Sequence, residues 1–188
     1  MKLHLLKIAL GSTSILMMAA CAGTPLADDT SVPPTPSSEN RPTGPVRLEA
    51  KIDPQLKSRT AGSVVLEPNA AGDMTVVKYE ITGLKKNSKH GFHIHEKGDC
   101  GDNGNKAGGH WNPNSTKHGD LHAHERHLGD FGNIQTDAKG VAKGEIQVPT
   151  FSLEAAKGLA VIVHAKADDL KSQPTGNSGD RIGCGVLQ

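Results

Sequence analysis

The sequence predicts an all-β domain, an antiparallel sandwich or barrel of eight short strands with two long functional loops. Three observations carry this. Short runs of alternating apolar and polar residues recur from Val46 to Leu187, with turn-forming segments between them. Aromatic residues are only 3 % of the 188-residue chain while glycine contributes 22, a composition suited to tight turns and a Val/Ile/Leu core. No long stretch places apolar residues at helical spacing.

The elements follow in order. Residues 1–20 have the plan of an export signal: Lys2 and Lys7 at the start, an apolar stretch from Ile8 to Ala20 too short to span a bilayer well, and small residues at its end. The junction Met18-Ala19-Ala20-Cys21 resembles a bacterial lipoprotein box, in which the cysteine becomes an acylated N-terminus. Met18 departs from the usual leucine, and ordinary secretion with cleavage near Ala20–Ala27 is the alternative. Residues 21–44 read as a tether, with Pro25, Pro33, Pro34, Pro36 and Pro42 among serines and threonines. The folded domain is expected over residues 45–188. A lipid on Cys21 would place it in the periplasm or cell envelope, anchored to a membrane.

Within the domain, Val46–Ile52 alternates cleanly and Ser63–Pro68 less so. Met74–Ile81 and Gly91–Glu96 are the third and fourth strands, and Gly129–Thr136, Val141–Pro149, Leu159–His164 and Arg181–Leu187 complete the set. Asn69–Gly72 and Asp137–Gly140 supply turns, and Ser152–Lys157 has the length of one helical turn. Gly98–Leu128 and Ala167–Asp180 break the strand rhythm. Long loops in a compact domain are either functional or disordered. The first is rich in Gly and His and the second lies between His164 and Arg181, so both are expected to wall a site.

Charge and cysteines narrow the class. The net charge is +1; without Lys2 and Lys7 it becomes 19 basic against 20 acidic residues, so no nucleic-acid partner is expected. There are three cysteines. With Cys21 lipidated, Cys100 and Cys184 remain, and a pair in an exported protein suggests one disulfide. Closing so long a loop is worth roughly 4 kcal/mol on the chain-entropy model. Two free thiols or extra metal ligands are the alternative.

Eight of the ten histidines fall between His90 and His127, and neutral imidazole is the commonest protein metal ligand. On a strand, residues i and i+2 share a face, so His93 and His95 form half a site while Phe92 and Ile94 point to the core. His110, His118, His127 and Asp130 supply three nitrogens and one oxygen, a set that suits tetrahedral zinc. His164 ends the apolar run Ala160–Val163 and can join His93 and His95.

Five stretches together resemble the copper-zinc superoxide dismutases, in particular the secreted bacterial kind: Gly91-Phe-His-Ile-His-Glu96, Gly108-Gly-His-Trp-Asn-Pro113, Arg126-His-Leu-Gly-Asp-Phe-Gly-Asn133, Val163-His-Ala-Lys-Ala-Asp-Asp169, and Gly176-Asn-Ser-Gly-Asp-Arg-Ile-Gly-Cys-Gly-Val186. The resemblance implies a Greek-key, immunoglobulin-like barrel. It implies copper at His93, His95, His110 and His164, and zinc at His110, His118, His127 and Asp130, with His110 as the shared bridge. Asp168 would link a copper-side His to a zinc-side His, Arg181 would draw in the superoxide anion, and Cys100 and Cys184 would pair. His110 and Arg181 are the expected catalytic residues. His90 is expected to be structural, and His122 and His124 are either solvated or captors of scarce metal. The segment Asp169–Thr175 is shorter than in eukaryotic relatives, with Pro174 where a guiding lysine is expected and Lys171 as a substitute. A homodimer is possible. The alternative function is a non-catalytic metal-binding or metal-delivery lipoprotein of the envelope. Arg181 and Asp168 argue against it, because a metal store needs neither.

Overall fold

The computed structural model describes residues 46–188. The expected export segment, Cys21 and the expected tether lie outside the described residues. The strands are β1 (Leu48–Pro54), β2 (Ala61–Pro68), β3 (Met74–Thr82), β4 (Lys89–His95), β5 (Asp130–Gln135), β6 (Ala142–Pro149), β7 (Ala160–His164) and β8 (Arg181–Val186). One α-helical turn, α1 (Leu153–Ala156), precedes β7, and a 3-10 turn spans Asn105–Ala107. Ser152 caps α1 by accepting Ala155 N–H at 3.2 Å.

All pairings are antiparallel, in the order β5-β4-β7-β8-β1-β2-β3-β6. The two ends, β5 and β6, come together without a shared ladder, so the barrel is nearly closed. β3 is followed by β4 and β6 by β7 across the barrel, the long connections of a Greek key. β1 runs past the expected Ile52 because it changes partner: Leu48–Ile52 pair with β2, whereas Asp53 and Pro54 pair with Cys184 and Gly183 of β8. Val46, expected in the strand, is 42 % exposed and unpaired.

The core forms as the alternation requires. Leu48, Ala50 and Ile52 of β1 pack with Val64 and Leu66 of β2, Val77 and Ile81 of β3, Phe92 and Ile94 of β4, and Val161 and Val163 of β7. Beyond β7 and β8, on the outer face, Ala107, Ala160, Ile162 and Cys184 form a smaller apolar cluster with Cys100 against it. β4 and β7 are therefore covered on both faces, by the core within and by loops without. This is why Ala160–Val163 reads as a continuous apolar run.

Candidate metal centre

Strand pairing assembles the site. In β4, Phe92 and Ile94 enter the core, which leaves His93 and His95 on the outer face under the loops. His93 lies opposite Asp130 at the start of β5, next to a bulge between Gly91 and His93. His164 lies opposite Arg181, next to a second bulge between Val163 and His164. Bulges re-aim side chains, and both of these fall beside candidate ligands. His110 reaches the site through an isolated bridge to His95.

Two groups result, each with one potential ligand atom per residue within 4.8 Å of the others: His93, His95, His110 and His164, and then His110, His118, His127 and Asp130. All seven residues are buried. His110 belongs to both, its ring centroid 4.0 Å from His93 and 5.3 Å from His118.

Hydrogen bonds set the tautomers in the first group. His95 Nδ1 donates to Gly108 O at 3.0 Å and His164 Nδ1 to Gly179 O at 3.1 Å. A carbonyl only accepts, so each Nδ1 carries the proton and each Nε2 keeps its lone pair. His93 is turned the other way: its Nε2 donates to Asp168 Oδ2 at 2.7 Å. Among the described residues, the ring nitrogens of this group left without a hydrogen-bond partner are His93 Nδ1 and Nε2 of His95, His110 and His164. Buried polar atoms are ordinarily satisfied. Four such lone-pair nitrogens in one group fit a transition metal that prefers imidazole, such as copper. Burial also lowers the pKa of these rings: His93 to about 4, despite its bond to Asp168, and His95 and His164 well below the usual range. They are neutral near pH 7, as ligands must be.

The second group turns nitrogens toward one carboxylate. His110 Nδ1 and His127 Nδ1 lie 2.7 and 3.2 Å from Asp130 Oδ1. His118 Nδ1 lies 3.0 Å from Asp130 Oδ2 without hydrogen-bond alignment. Backbone N–H groups of Gly119 and His127 also reach Oδ2, at 3.2 and 3.0 Å. Burial raises the Asp130 pKa, but the bond from His110 and the close approach of the His118 ring outweigh it and hold the acid well below the usual range. Burial likewise lowers His118, yet Asp130 and Asp168 together push it up to about 9. This ring must lose a proton to bind metal. The N₃O set fits zinc.

Asp168 joins the halves. Its Oδ2 faces His93 and its Oδ1 accepts His118 Nε2 at 3.0 Å, so one carboxylate fixes a ring in each group. Arg181 sits at the rim, Nη1 donating to Gly104 O at 2.6 Å and Nη2 to Gly108 O at 2.7 Å. Gly108 O thus serves both His95 and Arg181. The Cys100–Cys184 disulfide, with Cα atoms 5.8 Å apart, ties the loop carrying these carbonyls to β8.

The remaining expectations also find places. His90 is buried with Nδ1 2.8 Å from His164 O, a scaffold bond. His122 and His124 are exposed and belong to neither group. Trp111 packs edge-on against Phe151. Reading the residues missed the carbonyl acceptors Gly108 and Gly179, the side chain of Gln173, and the steric role of Gly176. No spacing rule marks a carbonyl acceptor. The φ of +65° at Gly176 follows only from the tertiary course of its loop.

The family model for copper/zinc superoxide dismutase (SODC) matches residues 60–187. Among curated proteins, "Superoxide dismutase [Cu-Zn]" of Neurospora crassa is 43 % identical over 139 residues, covering 69 % of this chain and 90 % of the relative. The protein of that name from Candida glabrata is 44 % identical over 136 residues, 68 % of this chain and 88 % of its own. The one from Saccharomyces cerevisiae is 40 % identical over 136 residues, with the same coverage of both chains. These relatives are fungal.

Proposed function

The chain belongs to the copper/zinc superoxide dismutase family, and we propose that its two buried groups divide the metals as copper at His93, His95, His110 and His164 and zinc at His110, His118, His127 and Asp130. The activity is dismutation of superoxide to dioxygen and hydrogen peroxide. The observation that carries the division is His110, the one residue common to both groups, with Nδ1 toward Asp130 and Nε2 without a partner among the first-group nitrogens.

Copper, when bound, supplies the one-electron acceptor and donor that disproportionation needs, while zinc, which has no redox chemistry, supplies fixed charge. The chain's own residues do the rest. Arg181 uses one N–H of each terminal nitrogen on Gly104 O and Gly108 O, which locks its plane. Its remaining donors make no hydrogen bond among the described residues, so they can hold a small monoanion. The charge also raises the local anion concentration. His110 Nδ1 is held on the Asp130 side at 2.7 Å, which leaves its Nε2 lone pair facing the nitrogens of the first group. Asp168 keeps His93 and His118 in register, so changes at one group are felt at the other.

Metal content and activity measured on one sample test this. Protein with both metals bound should suppress superoxide-driven cytochrome c reduction, and cyanide, which ligates copper, should abolish the effect. Absence of activity with both sites filled refutes the reading and favours metal storage or delivery.

The same proposal places the domain in the periplasm or cell envelope, held to a membrane by a lipid on Cys21 as in the secreted bacterial kind. The charged start, short apolar core and Ala19-Ala20-Cys21 junction support it. Mass spectrometry of the mature N-terminus decides: an unmodified start elsewhere than Cys21 removes the anchor. Sedimentation of the domain separates monomer from homodimer.

A further inference from the structure

Gln173 is used by neither ligand group, yet its side-chain amide closes on the backbone of His118 from a different loop. Oε1 accepts His118 N–H at 2.8 Å, and Nε2 donates to His118 O at 2.8 Å and to Lys171 O at 3.2 Å. A primary amide presents an acceptor beside donors, so it can stand in for the edge of a strand.

His118 has need of such an edge. It lies in a stretch outside every strand and helix, and among the described residues no backbone N–H from Thr116 to His122 finds a backbone carbonyl. Its ring, by contrast, must span two carboxylates, with Nδ1 3.0 Å from Asp130 Oδ2 and Nε2 3.0 Å from Asp168 Oδ1. A ring held at both ends, on a backbone with no strand or helix bonds of its own, keeps its geometry when side chains fix that backbone, as Gln173 does at His118 itself.

Gln173 is presented on a preformed turn. Asp169 Oδ1 accepts Lys171 N–H at 3.0 Å and Ser172 N–H at 2.8 Å. Asp169 N–H donates to Gly176 O at 2.8 Å, and Gly176 N–H to Ser172 O at 2.7 Å. Asn177 Nδ2 braces the turn through Asp169 Oδ2 at 2.9 Å and Ser172 Oγ at 2.8 Å. The same device recurs twice nearby. The Asn133 amide pairs with both N–H and O of Asp168 at 2.7 and 2.9 Å, and the Asn112 amide with both of Thr116 at 3.0 and 2.8 Å.

We infer that Gln173 is a positioning residue for the zinc half of the centre: its amide latches the backbone of His118 so that the ring stays between Asp130 and Asp168, and this slows loss of zinc. The inference rests on His118 being a zinc ligand.

The test uses full-length protein loaded with both metals. Zinc release to an excess of chelator is followed in wild type, Gln173→Ala, Gln173→Glu and Gln173→Asn. Parallel samples carry Co(II) in place of zinc for absorption spectra. Gln173→Ala and the shorter Gln173→Asn should release zinc about 10-fold faster or more, the scale on which outer partners of metal ligands act, with an altered Co(II) spectrum and copper retained. Gln173→Glu keeps the acceptor and loses the donor, so it should fall between. Zinc release within about two-fold of wild type and an unchanged Co(II) spectrum overturn the latch. So does a lowered Tm of the metal-free protein with no change in spectrum or release, because that marks a merely structural role. If wild type takes up neither zinc nor Co(II), the ligand assignment fails first and the latch falls with it.

Discussion

Replacing Gly176 by alanine tests the bridge between the two halves of the centre most directly. Gly176 has φ +65°, and a Cβ there would overlap the Asp168 carboxylate and stand 2.7 Å from His118 Nε2. The carboxylate has nowhere to retreat without leaving His93 or His118, which it meets at 2.7 and 3.0 Å. Two costs add. Left-handed backbone costs a non-glycine residue about 1–2 kcal/mol. Breaking a hydrogen bond to a charged group costs about 1.5–3 kcal/mol more, so Gly176→Ala should destabilise the metal-free domain by about 2.5–5 kcal/mol. Gly158 supplies the control: its φ is +83°, and a Cβ there meets nothing within 4 Å. Gly158→Ala should therefore cost only the backbone share, about 1–2 kcal/mol. Denaturant titration gives both values, and equilibrium zinc binding reads the site itself. Gly176→Ala should weaken zinc about 10- to 100-fold, and Gly158→Ala should leave it alone. Equal destabilisation by the two variants, with zinc affinity intact in both, refutes the steric argument.

Three further outcomes are expected. His164→Ala removes one nitrogen from the first group alone, the one assigned to copper, so metal analysis should show copper lost and zinc largely kept; the reverse contradicts the assignment. Arg181→Ala should keep both metals, slow catalysis about ten-fold and flatten its dependence on ionic strength, since the lost charge is the one that salt screens. An unchanged rate removes Arg181 from the mechanism. Asp169 is held down to about 2 by Ser172, the backbone N–H of Lys171 and Asn177. A carboxylate whose pKa is depressed on folding stabilises above its unfolded value of about 3.9, and that share fades as pH falls toward 2. In metal-free protein the stability difference between wild type and Asp169→Ala should thus shrink from pH 5 to pH 2, and a constant difference counts against the assignment.

Much of this protein is legible before folding is considered. The eight strands lie within a few residues of where alternation and turn residues put them, because a half-buried strand must alternate. Where the boundaries slip, the cause is tertiary. β1 continues through Asp53 and Pro54 because β8 pairs with them there. The ligand types of both groups are legible too, since few other purposes crowd imidazoles so closely.

By itself, then, the sequence determined the strand pattern, the inventory of imidazoles and carboxylates, and the cysteines that join. Only the tertiary structure decided which nitrogen of each ring carries its proton, because the acceptors are carbonyls of Gly108 and Gly179 brought up by loops. The family resemblance already implied that His110 and Asp168 join the two groups; the structure alone decided that the rings Asp168 reaches are His93 and His118, and that Gln173 grips His118 across 55 residues of chain. The physical reason is common to all of these. Side-chain periodicity is a local property of one strand, whereas backbone acceptors, left-handed glycines and amide latches acquire meaning only when separate loops are packed against each other.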